Sequence, residues 1–566
     1  MRVAIEGCGH GTLHAIYASI QKTCEIQSWN GVDLVIIGGD FQAVRNSFDL
    51  NTMSVPHKFR AIGDFHEYYS GKRTAPYLTL FVGGNHEASS HLQELYYGGW
   101  VAPKIYYLGA ANVLRVGNLR IAGLSGIWKG YNYQKPHFER LPYTADEIKS
   151  LYHVREIDVR KLLLLREQVD VGLSHDWPRS IEWLGDHKAL FRKKDLFEAD
   201  AKAGTLGSAA AKYVMDRLRP PYWFAAHLHC KFAAVVDYAE QASNVAVAQE
   251  LTSNGLQESK VSKEDEINLD LEDDGPEKKQ RIQGPVSEPV KNKDEIDLDM
   301  DEDSSEEPQT TTVTPHTSTI SNTTTNTTNQ SIVPADLRAQ LPASFTRSPR
   351  PKSPPPPTPL PPPPRITNTK TSFLALDKCL PNRKFLQLLD IAPLNPSASS
   401  PSPSESEEPT FTYDPEWLSI LRVFASHDPH TQPPRNEGEA AYIPLIAQER
   451  QWVDENIVAK NRLTIPENFE LTGPVYDGRD IRSVGTEQPR EYTNPQTTLF
   501  CDLLGVRNWF HEEEERREER KARKEKLIRM EMEEGGGRRG GGGRGSGGRG
   551  GRGGGGGGRG RGRGWR

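Results

Sequence analysis

The sequence predicts a layered α/β domain, and three observations carry that expectation. Short apolar runs rich in Val and Ile recur through the first 240 residues, each closing on glycine or a small polar turn. Between them lie helix-like stretches, such as the segment from Ala145 to Gln168. Continuous apolar runs suit strands buried on both faces, and strands alternating with helices indicate a sheet with helical cover. Composition limits how much of the 566 residues shares this fold, because its 50 Gly and 41 Pro are unevenly spread.

Taken in order, the runs end in side chains that suit metals. RVAIEGCGHG ends in Cys8 and His10, DLVIIGGD in Asp40, and YLTLFVGGNHE in Asn85, His86 and Glu87. VDVGLSHDWP ends in His175, and YWFAAHLHC in His227 and His229. Ligands of α/β sheets gather beyond the carboxyl ends of the strands, so these side chains are expected on one rim. Singly, a strand-end His or Asn more often caps a loop. As a set, imidazole, carboxylate and amide oxygen suit borderline metals such as Zn, Fe and Mn. An Asp bridging two metals about 3.5–4 Å apart is the usual geometry for activating water against a phosphate ester. Glu87 is expected to accept a hydrogen bond that orients an imidazole.

Beyond residue 255 the composition shifts abruptly. Residues 256–308 sum to -12 and contain the near duplication DEINLDLED and DEIDLDMDED. A Thr-rich tract holds 11 Thr in residues 310–328, and residues 349–364 hold 11 Pro. Such segments bury too little apolar surface to offset chain entropy, so 256–368 is expected to be a disordered insertion. FLALDKC at 373–379 is a good strand with no neighbour in sequence, and it is expected to pair with CKFAAVVDY at 230–238. The domain division is therefore 1–255 plus 369–392 as the catalytic domain and 409–510 as an appended, mainly helical C-terminal region. Helices are expected around Trp417–Phe424, Leu445–Ile457 and Asn494–Leu504. A charged, solvated helix at 511–534 and an RG-rich tail at 535–566, with 21 Gly and 9 Arg, complete the chain. Five scattered cysteines, odd in number and without a CxxC pair, argue against a secreted disulfide framework. No run approaches the ~18 apolar residues needed to cross a bilayer.

The order CGH, GD, GNHE, H and AHLH resembles the metallophosphoesterase family, whose pattern is DxH, GD, GNHE, H and GHxH. Two positions depart from it: Cys8 stands for the first Asp, and Ala226 for the last Gly. Cys in the first position marks the RNA lariat debranching enzymes. SGIWKGYNYQKPHFERLPY at 125–143, YHVREIDVRKLL at 152–163, SHDWP at 174–178, FLALDKCLP at 373–381 and NPQTTLFCDLLG at 494–505 resemble that branch too. The resemblance implies a four-layer αββα sandwich with two metal pockets. One is formed by Asp40, Asn85, His175 and His227, the other by Cys8, His10, Asp40 and His229, with Asp40 bridging. His86 is implied as the general acid that protonates the leaving oxygen. A thiolate disfavours Mg²⁺ or Mn²⁺ and suits Zn²⁺ or Fe²⁺. Two outcomes stay open: a thiolate-bound metal, or an empty pocket and single-metal catalysis in the Asn85 pocket; a separate reading makes Cys8 only a small residue filling a tight turn. The resemblance leans towards Fe²⁺ in the Asn85 pocket and Zn²⁺ at Cys8, with Mn²⁺ usable in vitro.

The family's lariat recognition loop matches residues 124–154. There Trp128, Tyr131, Tyr133, His137 and Tyr143 are interleaved with Lys129 and other cations, a mixture that suits splayed RNA: bases stack on rings while cations meet phosphates. The implied function is that of a phosphoric diester hydrolase cleaving the 2'-5' bond at the branch point of excised intron lariat RNA, after splicing. Competing readings are a protein phosphatase or general nuclease on the same fold, or an RNA-binding scaffold whose site has decayed. Expected partners are branched intron RNA and splicing-associated proteins at the C-terminal region, with neither DNA nor membrane. PEKKQR at 276–281 is a candidate import signal, so a nuclear location with shuttling to the cytoplasm is expected.

Overall fold

The computed structural model describes residues 1–239, 362–394 and 409–537, with side chains to residue 526. The first two apolar runs form β1 (Arg2–Glu6) and β2 (Leu34–Ile37). Both bury both faces, as continuous apolar runs require. Val3, Ile5, Leu34 and Ile36 turn to a central core. Ala4, Val35 and Ile37 meet Leu13, Ile16 and Ile20 of the helix Leu13–Gln27. With β3 (Thr79–Phe81), β4 (Gly99–Ala102), β5 (Ile105–Tyr107) and β12 (Leu386–Asp390) they make a six-stranded sheet of order β12-β1-β2-β3-β5-β4.

The second sheet has seven strands: β6 (Ala111–Val116), β7 (Leu119–Leu124), β8 (Val171–Ser174), β9 (Tyr222–Ala225), β10 (Phe232–Asp237), β11 (Lys370–Ala375) and β13 (Phe411–Tyr413). Their order is β10-β11-β9-β8-β7-β6-β13. One core cluster joins Val3, Ile5 and Leu34 of the first sheet to Val113, Ile121 and Leu173 of the second, so the sheets pack face to face. The helices Glu156–Leu163 and Ala209–Leu218 pack against β6, β7 and β8. The architecture is the four-layer αββα sandwich that the sequence implied. β1, β2 and β3 run parallel, as do β7, β8, β9 and β11, and the segments leaving their carboxyl ends meet on one rim.

The pairing expected of FLALDKC is present, since Phe232 to Asp237 of β10 run antiparallel to Ala375 to Lys370 of β11. β11 also pairs in parallel with β9, so it is an interior strand of the sheet. The described chain begins again at residue 362, before the expected boundary at 369. Ile366 is buried, and the backbone amides of Thr367 and Asn368 both donate to Gln168 Oε1 at 3.1 Å. The rest of the expected insertion, and the RG-rich tail from residue 538, lie outside the described residues.

The expected helix from Ala145 to Gln168 is two helices, Ala145–Ser150 and Glu156–Leu163. The interruption lets Ile127 pair with His153 and carries the Arg155 side chain inward, where its Nη2 meets Glu139 Oε1 at 2.5 Å. The C-terminal region is helical at Pro415–Val423, Glu439–Val453 and Pro495–Leu504. It also supplies β13 to the edge of the second sheet, anchored by buried Asp414, which meets Arg120 at 2.7 Å and Arg115 at 2.9 Å. The charged helix spans Glu514–Gly537 and is not solvated all round, because Arg520 and Lys524 dock on the protein.

Candidate metal centre

Cys8 and His10 follow β1, Asp40 follows β2, Asn85 and His86 follow β3, His175 follows β8, and His227 and His229 follow β9. The candidate ligand atoms of Cys8, His10, Asp40 and His229 all lie within 4.8 Å of one another. His10 Nε2 and His229 Nε2 are 3.2 Å apart, and His10 Nε2 lies 3.7 Å from Asp40 Oδ2. A second group forms around the other carboxylate oxygen. His175 Nε2 is 3.5 Å from Asp40 Oδ1 and 3.2 Å from Asn85 Oδ1, and the rings of His175 and His227 stand 5.0 Å apart. The two oxygens of Asp40 thus face two different donor groups.

The backbone is built tightly around this carboxylate. His10, Asp40, His227 and His229 all have positive φ, an uncommon conformation for residues with a side chain and one that clusters at functional sites. A Cβ at Gly39 would stand 2.1 Å from His175 Nδ1, and one at Gly84 would stand 2.2 Å from Asp40 Oδ1, so GD and GNHE need their glycines for close approach. Ala226 is accommodated because it faces Gly38, where a Cβ would come within 2.9 Å of the Ala226 methyl. His175 is oriented by its Nδ1, 2.9 Å from the carbonyl of Gly38.

The donor set fits a divalent metal. Asp40 Oδ2 is buried with no hydrogen-bond partner, and a buried carboxylate oxygen is costly to leave unpaired. Burial opposes the Asp40 charge, but His175, His86 and His10 hold its carboxyl well below the usual range. Burial lowers His10 to about 4 and His227 to about 3, and it lowers His229 as well. Neutral imidazoles keep a lone pair for a metal. Burial, with Asp40 and Glu6 nearby, pushes the Cys8 thiol up, so deprotonating it requires a cation. The Cys8 sulfur already accepts the His227 amide at 3.2 Å, and Cys8 is fully buried. The Cys8 sulfur therefore lies among the candidate donors formed with His10, Asp40 and His229.

His86 stands beside this cluster. Its amide donates to Asp40 Oδ1 at 2.8 Å, its Nδ1 lies 3.2 Å from the Ser54 carbonyl, and its Nε2 is 3.0 Å from Asn85 Nδ2. Glu87 orients no imidazole, contrary to the sequence expectation. Its carboxylate accepts the amides of Phe41 at 2.8 Å, Gly84 at 2.9 Å and Gln42 at 2.8 Å, tying the GD turn to the GNHE turn.

The loop leaving β7 divides its aromatics. Tyr131 is 60% exposed, with its ring edge-on to His153 at 5.7 Å and Lys135 Nζ 5.8 Å from its centroid. Trp128 is half-buried, packed 4.8 Å from Tyr133 with the Arg179 guanidinium 5.7 Å above its ring. Lys129 is half-buried and near enough to His227 to weaken its basicity. Tyr143 is corrected: it is buried and bonded to Gln93, so no base reaches it. His137 is largely committed, with Nε2 2.6 Å from Asp158 Oδ2. Sequence reasoning missed Lys378, whose backbone bridges Cys8. It contributes, after burial, to lowering His10 and His229, and among the described residues it has no ion-pair partner. The signal was present in FLALDKCLP, but only the β11 register brings that lysine to the rim.

A carboxylate shared by two donor groups, on the rim of an αββα sandwich, defines a calcineurin-like phosphoesterase, and the family model of that description matches residues 1–231. A second model, the C-terminal domain of lariat debranching enzyme, matches residues 368–509. Curated relatives agree with it over nearly the whole chain. The lariat debranching enzyme of Schizosaccharomyces pombe is 38% identical over 513 residues, covering 90% of this chain and 96% of its own. The human enzyme is 36% identical, with 89% and 69% covered, and that of Arabidopsis thaliana is 34% identical, with 89% and 86% covered. The chain belongs to the lariat debranching enzyme family.

Proposed function

We propose that this protein hydrolyses the 2'-5' phosphodiester at the branch point of excised intron lariat RNA, linearising it. The observation that carries the reading is the division of Asp40 between two donor groups beneath a loop that exposes Tyr131 and flanks the site with Lys129. Asp40, Asn85, His175 and His227 would hold one metal, and Cys8, His10, Asp40 and His229 the other. Bound metal supplies the positive charge that activates water and offsets charge on the phosphate.

The chain's own residues do the rest. His86 Nδ1 is held by the Ser54 carbonyl and its Nε2 lies beside Asn85 Nδ2; as an imidazolium turned from Asn85 to substrate, it would give the Nε2 proton to the leaving oxygen. Lys129 and Lys378 flank the site with positive charge that suits phosphodiesters, and Tyr131 and Trp128 offer faces for unstacked bases. A branch point presents 2'-5' and 3'-5' esters together, so selectivity comes from which ester the loop places before the activated water. Thiolate chemistry at Cys8 supports Zn²⁺ there, and the family resemblance implies Fe²⁺ beside Asn85, with Mn²⁺ usable in vitro. A nuclear location, with splicing-associated proteins on the C-terminal region, accords with this substrate and with PEKKQR. No helix among the described residues is long and apolar enough to cross a membrane.

The test is incubation of the purified protein with a branched RNA and its linear 3'-5' isomer, alongside metal analysis. Release of the branch with the linear RNA left intact is expected. Phosphate released from a phosphopeptide, with branched RNA untouched, would overturn the reading in favour of a phosphatase.

A further inference from the structure

The helix Glu514–Gly537 lies beyond residue 509, where the match to the family's C-terminal domain ends. Its sequence, EERREERKARKEK, has the alternating charge of a solvated helix. Three of its cations nevertheless share one face, at 517, 520 and 524, the spacing of a single helical stripe. Arg520 Nη1 donates to the Leu141 carbonyl at 2.7 Å, and Lys524 Nζ donates to the Arg140 carbonyl at 2.5 Å. Lys524 Nζ also meets Glu147 Oε1 at 2.7 Å. Arg140, Leu141 and Glu147 all belong to the 124–154 loop. Glu491 binds both sides of the joint, with one oxygen 2.5 Å from Arg140 and the other 2.6 Å from Arg520, while Arg517 Nη1 donates to its carbonyl at 3.0 Å.

The contacts reach further into the loop. Glu147 closes the capping box of the helix Ala145–Ser150 on Thr144, so Lys524 holds the carboxylate that completes that cap. Ser150 donates to Glu139 Oε1, the oxygen that also receives Arg155. Arg155 Nη1 in turn donates to the Asn132 carbonyl at 2.9 Å, between Tyr131 and Tyr133. Through the helix Ala145–Ser150, which carries both Glu147 and Ser150, these bonds connect the extra helix to the aromatic front of the loop. The pairs are three-quarters or more buried, at 24% exposure for Arg520, 18% for Lys524 and 13% for Glu147, unlike the fully wet pairs that contribute little.

We propose that Arg520 and Lys524 are positioning residues: the helix clamps the back of the recognition loop and holds its aromatic front where the branched RNA is read. The proposal rests on the function assigned above. A loop in place only part of the time lowers apparent affinity by that fraction without altering the chemistry. The experiment uses the full chain with Arg520→Ala and Lys524→Ala combined, and Lys524→Arg as the conservative variant. The double variant should raise KM for branched RNA roughly three- to tenfold at nearly constant kcat. Metal content and hydrolysis of bis(p-nitrophenyl) phosphate should not change. Backbone amides at 138–148 should exchange faster in the absence of RNA, and Lys524→Arg should behave as wild type. Unchanged exchange at 138–148, or faster exchange with unchanged KM, overturns the proposal. Branched RNA left intact by the wild type would overturn the underlying function, and the exchange result separates that failure from failure of the clamp.

Discussion

Replacing Cys8 by Ser gives the sharpest test of the metal centre. Cys8 is fully buried, and burial with Asp40 and Glu6 raises its thiol, so at neutral pH it carries its proton until a cation arrives. His10 at about 4 and His227 at about 3 are already neutral and release no proton between pH 6 and 8. Metal binding to the wild type should therefore expel a proton from Cys8. Affinity then rises with pH by about one decade per unit, equivalent to about 1.4 kcal/mol per unit, until the raised thiol pKa is reached. Serine stays protonated and contributes no such slope, so the difference between the two slopes isolates Cys8 whatever Glu87 or Glu6 adds to both. Zn²⁺ affinity should be measured by titration calorimetry from pH 6 to 8, in buffers of different ionisation enthalpy to count protons. Cys8→Asp should accept Mn²⁺ in both pockets. Equal slopes and equal Zn²⁺ affinity for wild type and Cys8→Ser would refute the reasoning and leave the pocket of Asp40, Asn85, His175 and His227 as the whole centre.

His86→Ala should keep its metal and lose roughly 10²–10⁴ in debranching rate, because the side chain belongs to neither donor group; elemental analysis beside a single-turnover assay checks both halves, and loss of metal would remove the general-acid role. Glu87→Gln turns one of the acceptor oxygens between the GD and GNHE turns into a donor, which should cost about 1–3 kcal/mol and lower the melting temperature by several degrees. Replacing residues 256–361 by a short linker should preserve debranching and melting temperature, whereas truncation after residue 255 removes β11 from between β9 and β10 and should yield protein that does not unfold cooperatively. Extending the deletion through residue 368 also removes two amide bonds to Gln168, each worth about 0.5–1.5 kcal/mol. Lys378→Met should tighten metal binding and raise KM for branched RNA, because a cation beside His10 and His229 opposes the metal and favours a phosphate; calorimetry and steady-state kinetics test the two effects, and a change in neither would exclude the role.

Strand-end motifs were legible because each is local. Cys8 and His10, Asp40, Asn85 and His86, His175, and His227 and His229 each stand within a few residues of an apolar run, and the geometry of an α/β sheet places such ends together. Glu87 was misread because its three partners are backbone amides, and an amide carries no mark in a sequence. Tyr143 was misread for a related reason. Its composition matches an RNA-stacking aromatic, and only Gln93, 50 residues earlier, shows that the ring is interior. The charged helix looked solvated because alternating charge reads the same whether its partners are water or the carbonyls of Arg140 and Leu141.

Fold class, the strand-end candidates for donors and the interior strand on the far side of the long insertion were all legible along the chain, because hydrophobic periodicity and short motifs record whatever lies next to them. Tertiary structure alone decided how Asp40 divides its two oxygens, that Lys378 reaches the metal rim, and that Arg520 and Lys524 hold the back of the recognition loop. Those facts depend on register between strands and on contacts across hundreds of residues. Hydrogen bonds of about 3 Å are set by how whole elements pack, and no local pattern of residue types encodes that distance.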